Sequence, residues 1–463
     1  FIGPGDGIHI RPKVHISPPR PFDRMQQTTT INVGLIGVGT VGAGVARALL
    51  EKRRLLEQRV GARLVLRRAC DKEFRRRRGV RLPPSVTTTD PSKVLRDPEI
   101  QVVVELIGGL EPARTFILEA LRRGKHVVTA NKALLAQAGR ELFAAARRAN
   151  VDLYFEAAVG GGIPIIKALR EGLIANELDA ILGIVNGTSN YVLTRMREKG
   201  LSFHEALLEA KHHGYAERNP ALDINGGDAA HKLAILTLLG FGVQVRLADI
   251  HVEGISSVSQ ADIQYADELG YCIKPLAIAK QVDQELELRV HPTLLAKTHL
   301  LANVNGVYNA VYVHGDMVGA ELFYGRGAGQ GPAASSVVSD IADVARNIVT
   351  GTSPRMPLLP HRHRGIRRLR RMGAVETRYY MRFLVTDKPG VLGRLAGVLG
   401  RHHISIASVH QKERRAARIV PVVMMTHEAK EADMRRALQA IDRLGFVKHP
   451  TVAIRTEAPR ADQ

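Results

Sequence analysis

A chain of 463 residues is long enough for roughly two or three domains, each with its own hydrophobic core. Its hydrophobic content of 45% and charged content of 24% are ordinary for a globular protein, and no apolar run of about 18 residues suggests a membrane partner. Cys70 and Cys272 are too few for a disulfide framework, which favours a cytoplasmic location.

The formal net charge of +21 leaves three interpretations open: a nucleic-acid partner, anionic substrates or an arginine-rich proteome. Much of the charge falls in two short runs, at 75–78 and 361–371. Neither run has interleaved aromatic residues or zinc-finger spacing. We therefore expect a solvated loop and a solvated linker there, and no nucleic-acid partner.

The first third of the chain has the pattern of a nucleotide-binding domain. Residues 1–30 are rich in proline and glycine, and we expect a disordered N-terminal extension there, with Met25 as a candidate start. From 31 to 156, short apolar runs alternate with helical patterns, as a parallel α/β sheet requires. This predicts a Rossmann-type dinucleotide-binding domain, completed by a helix near 335–349.

The remainder of the chain predicts two further domains and a linker. Residues 157–334 mix helices and strands into an α+β domain, which is the expected place for substrate contacts. A basic linker follows at 351–377. Residues 378–456 have the β-α-β-β-α-β order of a ferredoxin-like unit. Its start, "DKPGVLGRLAGVL", resembles the ACT domain, a module that commonly binds amino acids and regulates attached enzymes.

A glycine-rich turn predicts the cofactor site, with a purely structural turn as the alternative. Gly37, Gly39 and Gly42 have the G-x-G-x-x-G spacing, with Thr40 and Val41 in the same turn. An apolar strand precedes this motif and a helix follows it, which is the context that gives the pattern its meaning. Glycines allow a tight turn and the close approach of a pyrophosphate to the free N–H groups of a helix start.

The choice of nicotinamide cofactor depends on the end of the second strand. Asp71 lies there, followed by Lys72 and the basic run Arg75–Arg78. An acidic residue favours the ribose 2′-hydroxyl of NAD, whereas basic residues favour the 2′-phosphate of NADP. We expect NADP, with NAD as the alternative; a solvated loop without cofactor contact is a third interpretation.

Two more segments carry candidate site residues. Thr129 and Lys132 lie at the carboxyl end of a strand, where ligands bind in open α/β sheets, so Lys132 is a candidate to neutralise a substrate carboxylate or a cofactor phosphate. In "YAERNPALDINGGDAAHKLAIL" (215–236), Asp228 and Lys232 stand at i and i+4 of a helix that is apolar almost all round, which predicts a buried ion pair.

Two further carboxylates, Glu217 and Asp223, lie in the loop before that helix and are free to converge on its start. Carboxylates beside a lysine can hold a substrate ammonium group while the lysine transfers a proton. A capped helix with an incidental ion pair is the alternative.

This segment resembles a motif of homoserine dehydrogenase. The resemblance covers about residues 31–350, in order, and the ACT-like segment matches the longer form of that family. The other matching segments are "GLIGVGTVGAGV", "VVELIGG", "HVVTANKALLA", "FEAAVGGGIPII", "GIVNGTSNYVLT", "PTLL", "NAVYV" and "FYGRGAGQGP".

The resemblance implies a reaction and its residues. The reaction is the reversible NAD(P)-dependent hydride transfer between L-aspartate 4-semialdehyde and L-homoserine, in threonine, methionine and isoleucine biosynthesis. Lys232 is the implied acid/base group, held by Asp228, and homoserine oxidation should favour alkaline pH. The implied substrate contacts are Gly214, Glu217, Asp223 and Lys132. The implied cofactor contacts beyond the glycine-rich turn are Thr129, Lys132 and Gly329.

The resemblance also implies a cation, an effector and an oligomer. "FEAAVGGGIPII" is similar to the family's loop for sodium or potassium, although without the resemblance it would be a plain turn. The implied ligands are the Glu156 side chain and the carbonyls of Val159, Gly161 and Ile163. L-Threonine is the expected ACT effector, because the pathway leads there. The family favours a homodimer formed by the middle domain, extended to a homotetramer by the ACT modules.

The sequence departs from the family pattern at two positions, and two other functions are alternatives to the proposed reaction. Asn219 and Asn225 replace acids of the family pattern, which puts substrate affinity and loop geometry in doubt. A semialdehyde dehydrogenase needs a nucleophilic cysteine, and neither Cys70 nor Cys272 lies in a motif. A non-enzymatic NADP-sensing or nucleic-acid-binding regulatory protein would account for the charge, but it leaves Lys232 without a role.

Overall fold

The computed structural model describes residues 29–74, 79–355, 365–411 and 419–458. The basic run Arg75–Arg78, and the expected N-terminal extension up to residue 28, lie outside these ranges. Within them, no helix combines the length and the apolar character that a membrane crossing requires.

The first domain is a parallel sheet with helices on both faces. Its six strands lie in the order β3-β2-β1-β4-β5-β6, which confirms the predicted dinucleotide-binding topology. The elements are β1 (Thr30–Ile36), α1 (Thr40–Glu51), α2 (Arg53–Val60), β2 (Arg63–Cys70), β3 (Thr87–Thr88), α3 (Ser92–Leu95), β4 (Val102–Glu105), α4 (Ala113–Arg122), β5 (His126–Thr129), α5 (Lys132–Ala149) and β6 (Leu153–Tyr154).

The apolar runs of the sequence form the buried centre of this sheet. Strand β4, "VVVE", is buried along its whole length, because helices cover both faces of a parallel sheet. The turn after β1 depends on glycine: Gly37 has a φ of 99°, and a Cβ at Gly42 would lie 2.0 Å from the Gly37 carbonyl oxygen. Because Gly42 has no Cβ, the first turn of α1 can pack against the Gly37 carbonyl.

The middle segment contributes helices and a second sheet. Its elements are α6 (Ile165–Lys167), which continues as a π-type turn (Ala168–Gly172), β7 (Leu178–Ile184), α7 (Gly187–Lys199), α8 (Phe203–His212), α9 (Ala221–Ile224), α10 (Gly227–Phe241), β8 (His251–Val252), α11 (Gln260–Glu268), β9 (Tyr271–Val282), β10 (Glu285–Ala296), β11 (Tyr308–Gly315), β12 (Gly319–Arg326) and α12 (Gln330–Thr350).

Helix α12 packs against the first domain. It packs on α1 so closely that a Cβ at Gly44 would lie 2.9 Å from the Ala334 Cβ. Arg47 of α1 donates a hydrogen bond to the Gln330 side chain at 3.1 Å. This contact brings Gln330, which directly follows Gly329, beside the first helix of the nucleotide-binding domain.

The C-terminal elements confirm the predicted ferredoxin-like order. They are β13 (Arg368–Leu369), β14 (Glu376–Thr377), β15 (Tyr379–Thr386), α13 (Val391–Arg401), β16 (Ile406–His410), β17 (Ile419–Thr426), β18 (Ala429–Lys430), α14 (Glu431–Ile441) and β19 (Val452–Glu457). β19 pairs with β10 on one side and with β15 on the other. The middle domain and the ACT unit therefore share one 11-stranded sheet.

The linker before the ACT unit differs from its prediction in the part that is described. Ile366 is buried, and β13 pairs with β10. Arg370 donates to Glu285 at 2.8 Å and lies within 3.4 Å of Glu287. The expectation of a solvated linker charge is therefore wrong for Arg370, because β10 presents two carboxylates to it.

Candidate functional site

Lys232 lies in the interior of the middle domain, one helical turn after Asp228 on α10. Its Nζ donates to Asp228 Oδ2 at 2.7 Å and to the Val185 carbonyl oxygen at 2.5 Å. Lys232 is 8% exposed and Asp228 4% exposed. The buried ion pair predicted from helical spacing is present, and these two bonds use two of the three N–H groups of the ammonium.

Lys132 reaches the same carboxylate from the nucleotide-binding domain. It is the first residue of α5, whose start is capped by the Asn131 side chain through a hydrogen bond from the Leu134 N–H. The Lys132 Nζ lies 2.8 Å from Asp228 Oδ1. Asp228 therefore binds one lysine from each domain, one on each oxygen, and joins the end of β5 to the start of α10.

The two lysines have opposite shifts of pKa. Burial lowers the pKa of Lys232, and Asp228 only partly offsets that effect. Burial also opposes the charged form of Lys132, but Asp228, Asp223 and Glu217 outweigh it and raise the pKa of Lys132. The lysine charges in turn hold the pKa of Asp228 well below its usual range, against burial. Of the two lysines, Lys232 therefore has the lower pKa.

The start of α7 holds the acidic groups together. Asn186 is 5% exposed, and its Nδ2 donates to Asp223 Oδ1 at 2.7 Å and to Asp228 Oδ2 at 2.9 Å. Ser189 Oγ donates to the Asp223 carbonyl oxygen at 2.9 Å. Asp223 thereby lies beside Asp228, although the two residues belong to different helices.

The loop between α8 and α9 closes the site from another side. Thr188 Oγ1 donates to the Tyr215 carbonyl oxygen at 2.7 Å, next to Gly214 and two residues before Glu217. Gly214 has a φ of 74°, a left-handed conformation in which a side chain would be strained. Glu217 is exposed, and its charge acts on Lys132. Of the two predicted substrate residues of this loop, Glu217 therefore lies near enough to Lys132 for the two charges to interact.

The two asparagines that replace family acids act within the backbone of this loop. Asn219 Oδ1 accepts from the Ala221 N–H at 3.2 Å, and Asn225 Oδ1 accepts from the Gly227 N–H at 3.0 Å. An amide oxygen can accept these bonds as a carboxylate does. The loop geometry that was in doubt is thus supported by both side chains.

The glycine-rich turn has the shape of a phosphate cradle. Apart from its chain neighbours and its own helix, no described residue has a heavy atom within 4 Å of the position that a Cβ would take at Gly39, and none of them caps the start of α1 with a side chain. The N–H of Val38 donates to Asp71 Oδ2 at 2.7 Å, which ties the turn to the end of β2. A helix start open in this way fits a dinucleotide pyrophosphate.

Thr129 and Gly329 are the remaining predicted cofactor contacts. The Thr129 hydroxyl donates to Glu105 Oε2 at 2.6 Å and accepts from the Asn131 N–H at 3.0 Å, which holds this side chain at the end of β5. Gly329 has a φ of 115° and precedes α12. A Cβ at Gly161 would lie 2.4 Å from the Gly327 carbonyl oxygen, so the glycine-rich segment 325–329 contacts the proposed cation loop.

The predicted cation loop is held by hydrogen bonds to its own chain. Glu156 accepts from the Ile166 N–H at 2.8 Å and the Lys167 N–H at 2.9 Å, and Gly161 O accepts from Ser336 Oγ at 2.7 Å. Burial raises the pKa of Glu156 to about 7. Beside it, burial and the Glu156 charge raise the pKa of Asp340 well above its usual range. Val159 and Ile163 are buried in the same turn.

The cysteines do not provide a nucleophile. Both are buried and free. Burial raises the pKa of the Cys70 thiol to about 11, and Cys272 lies on β9 with an Arg197 N–H 3.3 Å from its Sγ. Thiolate chemistry needs a depressed pKa, so the thiol at Cys70 is unsuited to acyl transfer.

Sequence reasoning missed three contributors to this site. Val185, Asn186 and Ser189 were quoted only as part of a matching segment, although they hold Lys232, Asp223 and Asp228. The available signal was the "NGTS" start of α7, since asparagine is a favoured N-cap. That signal predicts that Asn186 caps α7, but it does not predict the contacts of Asn186 with Asp223 and Asp228.

A Rossmann-type sheet with an open glycine-rich turn, joined to a buried Asp228 shared by two lysines, defines a nicotinamide-dependent oxidoreductase. Family models support this class in three parts: a homoserine dehydrogenase NAD-binding domain matches 37–156, a homoserine dehydrogenase domain matches 164–342, and an ACT domain matches 379–446. The chain belongs to the homoserine dehydrogenase family, and its activity is that of the family.

Named relatives cover nearly the whole chain. The homoserine dehydrogenase of Neisseria gonorrhoeae is 43% identical over 92% of this chain and 99% of its own length, and that of Synechocystis is 47% identical with the same coverage. Among solved structures, a homoserine dehydrogenase from Thiobacillus denitrificans is 44% identical, with a TM-score of 0.86 over 93% of this chain and 99% of its own. A hyperthermophilic archaeal homoserine dehydrogenase in complex with NADPH is 27% identical, with a TM-score of 0.59 over 68% of this chain and 98% of its own.

Proposed function

We propose that Lys232 is the acid/base residue of homoserine dehydrogenation, and that Asp228 holds it in place. The observation that supports this most directly is the arrangement of Lys132, Asp228 and Lys232, in which one buried carboxylate binds two lysines at 2.8 and 2.7 Å. When bound, the nicotinamide supplies or accepts the hydride. The protein has to deliver or remove the hydroxyl proton at the neighbouring oxygen.

The opposite pKa shifts of the two lysines suit different roles: Lys232 transfers the proton and Lys132 remains charged. In semialdehyde reduction, the Lys232 ammonium donates a proton to the carbonyl oxygen as the alkoxide develops. In homoserine oxidation, neutral Lys232 accepts the hydroxyl proton, and its lowered pKa makes the neutral form available at milder alkaline pH than an ordinary lysine would. Lys132, with its raised pKa, stays charged in both directions.

The remaining polar groups suit an amino-acid substrate. We assign the substrate ammonium to Glu217 and Asp223, with the Gly214 backbone beside them, and the substrate carboxylate to Lys132. The charges of Glu217 and Asp223 act on Lys132, whose side chain is 38% exposed. Lys132 also lies at the carboxyl end of the nucleotide-binding sheet, which supports a contact with both substrate and cofactor.

The cofactor, cation and partner assignments are finer proposals. We propose NADP over NAD on the basis of Arg75–Arg78, and the NADPH complex of the archaeal relative is an analogy that supports this choice. The proposed cofactor contacts are Gly37, Gly39, Thr40, Val41, Gly42, Thr129, Lys132 and Gly329. A sodium or potassium ion is proposed at Glu156 and the carbonyls of Val159, Gly161 and Ile163, where a positive charge would favour the ionised carboxylates.

The proposed biological unit is a cytoplasmic homodimer or homotetramer that divides its roles among 31–156, 157–334 and 378–456. We assign L-threonine feedback to the ACT unit. Support for this comes from the shared sheet, in which β19 of the ACT unit pairs directly with β10 of the middle domain. Size-exclusion chromatography tests the oligomeric state, and rates of homoserine oxidation with and without L-threonine test the feedback.

The decisive experiment for the acid/base role is NADP reduction with L-homoserine by the full chain and by Lys232→Ala. General acid/base removal costs about 10²- to 10⁴-fold, so we expect kcat to fall by that factor, with the KM for NADP close to that of the parent. Lys280→Ala, which removes an ion pair to Glu457 away from the site, is the matched control and should keep the parent kcat. Parent-like turnover by Lys232→Ala would contradict the assignment.

A further inference from the structure

Asn186 occupies a position that the reaction scheme above leaves without a role. It is buried between β7 and α7, and all three of its side-chain hydrogen bonds are short: 2.8 Å from the Ser189 N–H to Oδ1, 2.7 Å from Nδ2 to Asp223 and 2.9 Å from Nδ2 to Asp228. Its two carboxylate partners are the ones that the proposed function assigns to the substrate ammonium and to Lys232.

The orientation of this carboxamide is fixed by two independent constraints. The N-terminus of α7 offers an N–H that needs an acceptor, so Oδ1 must face Ser189. Ionised carboxylates only accept hydrogen bonds, so Nδ2 must face Asp223 and Asp228. The flipped amide would lose all three hydrogen bonds, and Asn186 therefore presents its amide N–H groups to the acidic pair.

We propose that Asn186 is a positioning residue of the reaction: it holds the Asp223 and Asp228 side chains next to each other, so that one can bind the substrate ammonium while the other orients Lys232. The proposal rests on the roles assigned above to these carboxylates. Two like charges side by side repel each other, and a shared neutral donor offsets that repulsion without neutralising either one.

Two residues near Asn186 in sequence also contact the groups that it positions. The Val185 carbonyl accepts from Lys232 Nζ, and Ser189 Oγ donates to the Asp223 carbonyl. Residues 185–189 thereby contact the proton-transferring lysine and both carboxylates from one short segment. A shift of this segment would move all three groups together, whereas a change at Asn186 alone separates the two acids from each other.

Two substitutions test the proposal while keeping an oxygen that can cap α7. Asn186→Asp replaces the donor facing the acids by a further carboxylate. Asn186→Ser leaves the cap but is too short to bridge both acids. Hydrogen bonds to charged groups carry enough energy that we expect the KM for L-homoserine to rise about 10- to 100-fold in both variants, with the KM for NADP changed less than about 2-fold.

The pH profile separates positioning from a purely structural role. The added carboxylate in Asn186→Asp favours the charged form of Lys232, so the alkaline limb of kcat for homoserine oxidation should move to higher pH. In Asn186→Ser the limb should stay near the parent position. Ser202→Ala, which removes the cap of α8 outside the site, is the control and should leave both the KM and the limb unchanged.

The outcomes separate this proposal from the one it rests on. If both Asn186 variants keep the parent KM for L-homoserine and the parent pH profile while Lys232→Ala is inactive, the positioning role is overturned and the acid/base assignment stands. If Lys232→Ala retains parent activity, both fail. Should Asn186→Asp not fold, the KM of Asn186→Ser decides alone.

Discussion

Arg455, in the last strand of the ACT unit, binds both carboxylate oxygens of Glu253 in the middle domain, at 2.9 and 2.8 Å. Glu253 directly precedes Gly254, where a Cβ would lie 2.5 Å from the carbonyl oxygen of Ile224. Ile224 is the neighbour of Asp223, a proposed substrate carboxylate. Arg455 thus connects the ACT unit to the segment that packs against α9, the helix that carries Asp223.

Replacing Arg455 by methionine should affect both stability and regulation. Arg455 is 6% exposed and also binds Glu431 through two hydrogen bonds of 2.8 Å, so its loss removes two charged hydrogen bonds from each of two carboxylates. Breaking a buried pair typically costs about 3–5 kcal/mol. We expect a decrease of about 3 kcal/mol in the free energy of unfolding in urea, and a weaker response of the reaction rate to L-threonine.

Arg435 provides the matched control for that measurement. It also pairs with Glu431, at 3.6 Å, but its side chain is 55% exposed. Because exposed ion pairs contribute about 0–1 kcal/mol, Arg435→Met should lower the free energy of unfolding by less than about 1 kcal/mol. Equal losses in the two arginine variants would contradict a specific role for Arg455.

Removing Lys132 should change substrate binding more than proton transfer. Lys132→Met deletes the proposed partner of the substrate carboxylate, and a hydrogen bond to a charged group is worth about 1.5–3 kcal/mol, so the KM for L-homoserine should rise about 10- to 100-fold. The Lys132 charge lowers the pKa of Lys232, so its loss should move the alkaline limb of kcat to higher pH. Initial rates across alkaline pH measure both effects.

The architecture was largely predictable, because local patterns determine it. Alternating apolar runs and helical periods gave the parallel sheet, and the spacing of Asp228 and Lys232 gave their ion pair. The contact between Lys132 and Asp228 was not predictable from spacing, because it joins two domains. The same holds for Asn186, whose local pattern indicates a helix cap and carries no information on its tertiary neighbours.

Replacing Asp228 by asparagine should shift the pH dependence of kcat in the direction opposite to that expected for Lys132→Met. In Asp228→Asn the lysine loses the charge that opposes the effect of burial, so the pKa of Lys232 falls further. The alkaline limb of kcat for homoserine oxidation should then begin at lower pH, while the maximal rate decreases because the lysine is held less firmly. A limb that stays at the parent position would show that Lys232 is not the titrating group.

The buried carboxyl of Glu156 predicts a dependence of stability on both pH and monovalent cations. Its folded-state pKa of about 7 exceeds the ordinary value of 4.5, so the folded protein holds this proton more tightly than the unfolded chain does. The stability it contributes is fully present below about pH 4.5 and is lost as the pH rises through about 7. The loss amounts to about 3 kcal/mol at most, at 1.36 kcal/mol per pH unit.

A cation bound at this carboxylate should reverse that loss. We therefore expect the Tm in choline chloride to fall between mildly acidic and mildly alkaline pH, and potassium or sodium chloride to restore it at the alkaline end. Glu156→Gln should show a smaller fall and no restoration. Glu171→Gln, in the same segment but on the Arg355 side, should behave as the parent does. Equal restoration by potassium in the parent and in Glu156→Gln would place the cation effect elsewhere.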